Sequence, residues 1–126
     1  MTVHTIRLAG PWEQQTAGTD AVRIVLPCSV STDRPPAALI RKFHQPGGLT
    51  DRSKVHIVIT VDTTLFDATV NGQSVPAADC RQSGSWFEIS LEITTVLKPF
   101  NTLSIRSHKD RKLTLQSAVM RIQDDG

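Results

Sequence analysis

The chain has 126 residues, close to the commonest size for one domain, and residues 1–126 are expected to fold as a single unit. Hydrophobic residues make up 39% and charged residues 21%. That balance excludes a disordered chain and lets roughly 65–70% of the unfolded surface be buried without a metal or disulfide staple. Fourteen basic against twelve acidic side chains leave a formal charge of +2, too weak a field to attract a phosphate backbone, so no nucleic-acid partner is expected.

The apolar period along the chain is two, the period of a strand. Early strands are expected at residues 5–8, 22–26 and 39–43. In residues 55–61, Val55, Ile57, Ile59 and Val61 alternate with His56, Val58 and Thr60, and Val58 gives the second face some apolar character. This strand is therefore expected to be central. Phe66, Ala68 and Val70 alternate with Asp67 and Thr69 and run into Asn71-Gly72, a pair that tolerates positive φ in a type I′ hairpin turn. The returning strand starts at Gln73, and Pro76 ends its pairing by removing a backbone donor. Phe87, Ile89, Leu91 and Ile93 alternate with Glu88, Ser90 and Glu92. Residues 94–98 allow one helical turn, which Pro99 stops. Leu103 and Ile105 mark the next strand. The last runs from Leu113 to Ile122 and changes face near Ser117-Ala118, which suits a bulge. About eight short strands separated by Gly- and Pro-rich turns make an all-β sandwich or barrel.

Several of these segments fall in a familiar order. Leu8-Ala9-Gly10-Pro11-Trp12 is similar to an opening Leu-x-Gly-x-Trp. Val25-Leu26-Pro27-Cys28-Ser29 resembles a strand-ending Val-Pro-Gly-Ser. Leu39-Ile40-Arg41-Lys42-Phe43 resembles Tyr-x-Arg-x-Phe, and Leu97-Lys98-Pro99-Phe100-Asn101-Thr102-Leu103 resembles Leu-Lys-x-Gly-x-Asn-x-Leu. Between them stand residues 55–61, residues 66–72 and Leu91-Glu92-Ile93-Thr94. Over nearly its whole length the chain resembles the N-terminal sugar-binding domain of family 2 glycoside hydrolases, the β-galactosidase and β-glucuronidase group. The resemblance implies a two-layer antiparallel β-sandwich with a galactose-binding domain-like jelly roll. It also implies an accessory role, with the catalytic carboxylates on a separate barrel that a chain this short does not contain. The sequence departs from the pattern at Leu39, which replaces Tyr, at Phe100, which replaces Gly, and at Glu92, which replaces Asp. It also lacks the Gly-x-His-x-Gly-Gly loop after Asn71-Gly72.

No constellation of catalytic residues stands out. Glu88 and Glu92 lie on the polar face of one expected strand, where side chains meet solvent rather than each other across a sugar. There is no Gly-x-Ser-x-Gly elbow, the four histidines are scattered without metal-ligand spacing, and no Gly-rich loop opens a helix, so no metal or cofactor is expected. Cys28 and Cys80 are too far apart in sequence for a CxxC pair and read as free thiols. No apolar stretch approaches the ~18–20 residues that cross a bilayer, and residues 1–5 do not resemble a signal peptide, which makes a cytoplasmic protein with no membrane partner the default.

A sugar site wants an aromatic plane and a few converging polar groups. Trp12 reads as core packing. Trp86 is offset by one residue from the apolar set of its strand, so it points to the opposite face. There it is a platform if that face is open, or core if the N-terminal segment covers it. The resemblance implies that the loops after Pro27 and after Arg106 meet at one end of the sandwich. They carry Ser31, Asp33 and Arg34, and His108, Asp110 and Arg111. With Trp86 these are the candidate ligand-binding residues. The expected function is a non-catalytic, carbohydrate-binding-like module with a saccharide partner. The alternative is a structural or protein-interaction domain of the same fold. The basic cluster of Arg106, His108, Lys109, Arg111 and Lys112 reads as a solvated loop.

Overall fold

The computed structural model describes residues 2–16, 18, 20–30, 37–108 and 111–124. Two antiparallel sheets form the layers of a sandwich. The first contains β1 (Thr2–Arg7), β12 (Leu113–Asp124), β6 (Ser53–Val61), β10 (Trp86–Glu92) and β9 (Ala77–Ser83), in that spatial order, with β4 (Cys28–Val30) also paired to β12. The second contains β3 (Val22–Ile24), β2 (Trp12–Thr16), β5 (Ala37–His44), β11 (Phe100–Ser107), β7 (Phe66–Val70) and β8 (Gln73–Ser74). The chain passes repeatedly from one sheet to the other, and no helix occurs among the described residues.

The core follows from side-chain alternation. On β6, Val55, Ile57, Ile59 and Val61 are all 0% exposed. Their cross-strand partners Ile122, Met120, Ala118 and Leu115 on β12, and Leu91 and Ile89 on β10, are buried with them. The second sheet answers with Trp12, Leu39, Phe43, Ala68, Val70, Leu103 and Ile105. Trp12 is core, as expected, and its indole Nε1 donates to the Leu8 carbonyl at 2.8 Å. Strand β6 is central, and Val58 on its outer face is also buried. Each fully buried Ile or Leu in such a layer stabilises the fold by roughly 2–5 kcal/mol relative to Ala.

Where β12 changes face, its register against β6 shifts between Leu115 and Ser117, leaving Gln116 as the extra residue of a bulge. The described residues form twelve strands where about eight are expected. Those with no counterpart among the expected segments are β2, β4 and β9. Strand β4 has three residues, and β9 is exposed at all seven positions, so neither carries an apolar alternation. Beyond Trp12, β2 is entirely polar, so it shows no apolar alternation, and Trp12 is its one fully buried residue. Residues 94–96 form a turn, with the Val96 and Leu97 N–H groups donating to the Ile93 carbonyl.

The lower end of the sandwich is closed by side-chain amides. Asn71, at φ 56°, and Gly72, at φ 79°, make the left-handed turn between β7 and β8. Asn71 Nδ2 donates to the Val96 carbonyl at 3.0 Å and to Asn101 Oδ1 at 2.9 Å, while its Oδ1 accepts from the Thr102 N–H at 3.0 Å. Asn101 is 3% exposed. Its Oδ1 also accepts from the Lys98 N–H at 2.8 Å, and its Nδ2 donates to the Lys98 carbonyl at 2.7 Å and the Phe43 carbonyl at 3.5 Å. Every buried side-chain N and O among the described residues has a partner. Removing the Asn101 amide leaves the Lys98 N–H and the Asn71 amide without their shared acceptor. Asn101→Ala is therefore expected to destabilise the domain by about 2–3 kcal/mol. Urea unfolding should show a lower midpoint at unchanged slope.

Candidate functional site

At the upper end, strands β4 and β12 bring the flanks of the two expected loops together. Val30 pairs with Leu113, and the Ser29 and Thr114 hydroxyls lie 2.7 Å apart. The Thr114 N–H donates to Asp62 Oδ1 at 2.7 Å, which adds the β6–β7 connection to this end. His108 is exposed, and its Nε2 lies 3.4 Å from Asp67 Oδ1. The Arg111 N–H donates to the His108 carbonyl at 3.1 Å, and Arg111 is exposed. Candidates Ser31, Asp33, Arg34 and Asp110 lie outside the described residues.

Trp86 opens β10 at the same end and pairs with Ser83 across the β9–β10 turn. It is half-buried on the outer face of the first sheet and does not belong to the core cluster. The N-terminal strand does not cover it, because β12 and β6 separate β1 from β10. Glu88 and Glu92 are both exposed on that face, four residues apart along one strand, roughly 13 Å. They stand side by side on one strand face rather than on opposite walls of a cleft, as two carboxyl groups flanking a glycosidic bond do.

The lower end carries a site that the sequence reading missed. Because Asn101, Leu103 and Ile105 point inward on β11, Phe100 and Thr102 point outward. Phe100 is 73% exposed. It pairs across the strands with His44, and the two rings meet edge to face, centroids 4.9 Å apart at 65°. Lys42 pairs with Thr102 beside them. These residues, with Phe43 and Asn101 beneath, line an open groove of about 500 Å³. The signal was present in the alternation of residues 100–105, which puts an aromatic ring out of phase with the core. The Asn101 amide contacts described above hold the groove floor.

A second recess, of about 290 Å³, opens at one side of the sandwich between the two sheets. Phe66, Ala68, Val75, Ile89 and Leu91 line it, with Cys80 on its rim strand. On the other side, Arg41 Nε donates to the Ala9 carbonyl at 2.8 Å and ties the β1–β2 connection to β5. Partial burial pushes the Arg41 guanidinium below its ordinary pKa. Among the described residues, no three His, Cys, Asp or Glu side chains gather as a metal site requires, and no helix is long and apolar enough to cross a membrane.

No protein-family model matches this chain, and no curated protein matches it in sequence. Solved structures do share its fold. The FMN-binding β-glucuronidase from Facaelibacterium prausnitzii L2-6 superposes with a TM-score of 0.71 at 14% identity, over 98% of this chain and 23% of that one. The β-glucuronidase from Ruminococcus gnavus, solved in complex with N1-substituted uronic isofagomine, gives 0.67 at 14% identity, over 97% and 30%. The chain thus has the fold of one domain-sized part of these family 2 enzymes and spans less than a third of either. At this identity the likeness is one of fold.

Both cysteines are free. Cys28 is half-buried, and burial raises its thiol pKa, so it holds less thiolate at neutral pH than an ordinary cysteine. Cys80 is exposed. In a thiol-labelling time course at pH 7, Cys80 is expected to react first and Cys28 severalfold more slowly. The Cys28 rate should climb as pH is raised toward its elevated pKa. Mass mapping of the labelled peptides checks the order.

Proposed function

We propose that this chain is a non-catalytic, carbohydrate-binding-like module that meets a saccharide on the Phe100 shelf. The observation that carries the reading is a large aromatic ring left 73% exposed in an open groove, with His44 at its edge and Lys42 and Thr102 beside it. An aromatic plane packs against the C–H face of a pyranose, and the flanking polar groups reach its hydroxyls. The β-glucuronidases that share the fold, one of them solved with a uronic ligand, support a sugar that carries a carboxylate. Lys42 would pair with that charge. The placement of Glu88 and Glu92 on one strand face supports a role without catalysis.

The end loops are the competing contact, through Ser31, Asp33, Arg34, Trp86, His108, Asp110 and Arg111. A second reading, a structural or protein-interaction domain, is favoured by one observation: strand β9 is an edge strand exposed along its whole length.

Thermal shift and NMR titration against glucuronate, galacturonate and neutral monosaccharides test the proposal. The wild type is expected to bind one sugar class, Phe100→Ala to lose that binding roughly tenfold or more, and Lys42→Gln to weaken only the uronates. If Trp86→Ala or Arg111→Ala abolishes binding while Phe100→Ala does not, the site is at the loop end. No response to any sugar would overturn the reading.

A further inference from the structure

Strand β9 lies at the border of the first sheet and, among the described residues, pairs only with β10. Its seven residues, Ala77 to Ser83, are all exposed, so one row of backbone N–H and C=O groups along it faces outward. Edge strands are usually protected by charge. Here the charges have a particular symmetry. Asp79 and Arg81 flank Cys80, one on each side, and share the outer face of the sheet, where Arg81 Nε lies 3.3 Å from Asp79 Oδ2. Their side chains remain 56% and 79% exposed.

We propose that β9 is a self-pairing edge through which two copies of this chain join antiparallel, about a two-fold axis at Cys80. In that register Asp79 of each copy lies opposite Arg81 of the other, and the four side chains form an alternating ring of charge. Cys80 lies opposite its own counterpart. Other registers are penalised. A parallel, in-register pairing sets Asp79 on Asp79 and Arg81 on Arg81, and an antiparallel pairing centred on Arg81 sets two guanidinium groups face to face. The charges therefore select one self-association rather than block all of them. The two lateral recesses, each with Cys80 in its lining, meet at the axis and bring their apolar walls of Phe66, Val75 and Leu91 toward each other. The Phe100 shelf is on the other sheet, so this association stands or falls independently of sugar binding.

The test is the oligomeric state of the full chain by sedimentation velocity from roughly 1 µM to 1 mM, a range that covers small interfaces. The wild type is expected to show a concentration-dependent dimer. Arg81→Asp places acid against acid twice and is expected to weaken the dimer roughly tenfold or more. The charge swap Asp79→Arg with Arg81→Asp restores the complementary ring and is expected to restore the dimer. All these positions are exposed, and far-ultraviolet circular dichroism confirms that each variant folds. Cys80 gives a second readout. Directly opposed residues of antiparallel strands are about 4.5–5.5 Å apart at Cα, within disulfide reach. Diamide takes up the two protons and two electrons released as the Sγ–Sγ bond forms. It should link the wild type and Cys28→Ser into covalent dimers, and leave Cys80→Ser as monomer. A monomer at every concentration overturns the proposal, as does a dimer indifferent to charge reversal, or one that crosslinks without Cys80.

Discussion

Two side-chain amides, Asn71 and Asn101, hold the lower end of the molecule in register. Between them they bond the turn after β7, the loop before β11 and the end of β5. Backbone bonds from the Gln45 N–H to the Pro99 carbonyl and from the Asn71 N–H to the Thr102 carbonyl carry the β5–β11–β7 ladder to this end, and the two amides tie in the Val96 and Lys98 backbone of the preceding loop. Buried amides without partners would cost more than they contribute, and here each donor and acceptor is aimed at a defined partner. The left-handed backbone at Asn71 belongs to the same arrangement, since asparagine tolerates that conformation and its side chain supplies the bonds.

From this junction the rest follows by alternation. Asn101 points in, so Phe100 and Thr102 point out, and Leu103 and Ile105 continue the inner face toward Leu39 and the β6 layer. Four fully buried side chains on β6 and their partners on β12 and β10 supply the apolar burial that closes the two layers. The rigid interior leaves chemistry to the periphery: an aromatic shelf below, polar loops above and an open strand edge at one side. Such a division between packed layers and variable rims is common where a scaffold serves for binding.

The inner faces of the long strands were readable in the sequence because each required a strict period of two. Residues 55–61 and 87–93 announced themselves in this way, and the bulge at Gln116 was visible as a change of phase between Leu115 and Ala118. Asn71-Gly72 marked its hairpin by turn chemistry alone. Strands β4 and β9 were not legible. Their pairing comes from neighbours, and an edge strand with no buried side chain has no pattern to show. Trp86 could be assigned to the face opposite the core, but whether β1 lies over it depends on strand order, which the period of a single strand does not encode. The Phe100 shelf was hidden for a different reason. It joins residues of β5 and β11 more than fifty positions apart, and only their register sets the ring of Phe100 against His44.

The Asn71–Asn101 pair is a built joint of the fold. Hydrogen exchange by NMR addresses it directly, at the Lys98 and Thr102 backbone N–H groups that these amides accept. Both are expected to exchange as slowly as the N–H groups of the central strand β6, through global unfolding. Exchange at the rate of an open loop at both positions, with β6 still protected, would contradict such a joint.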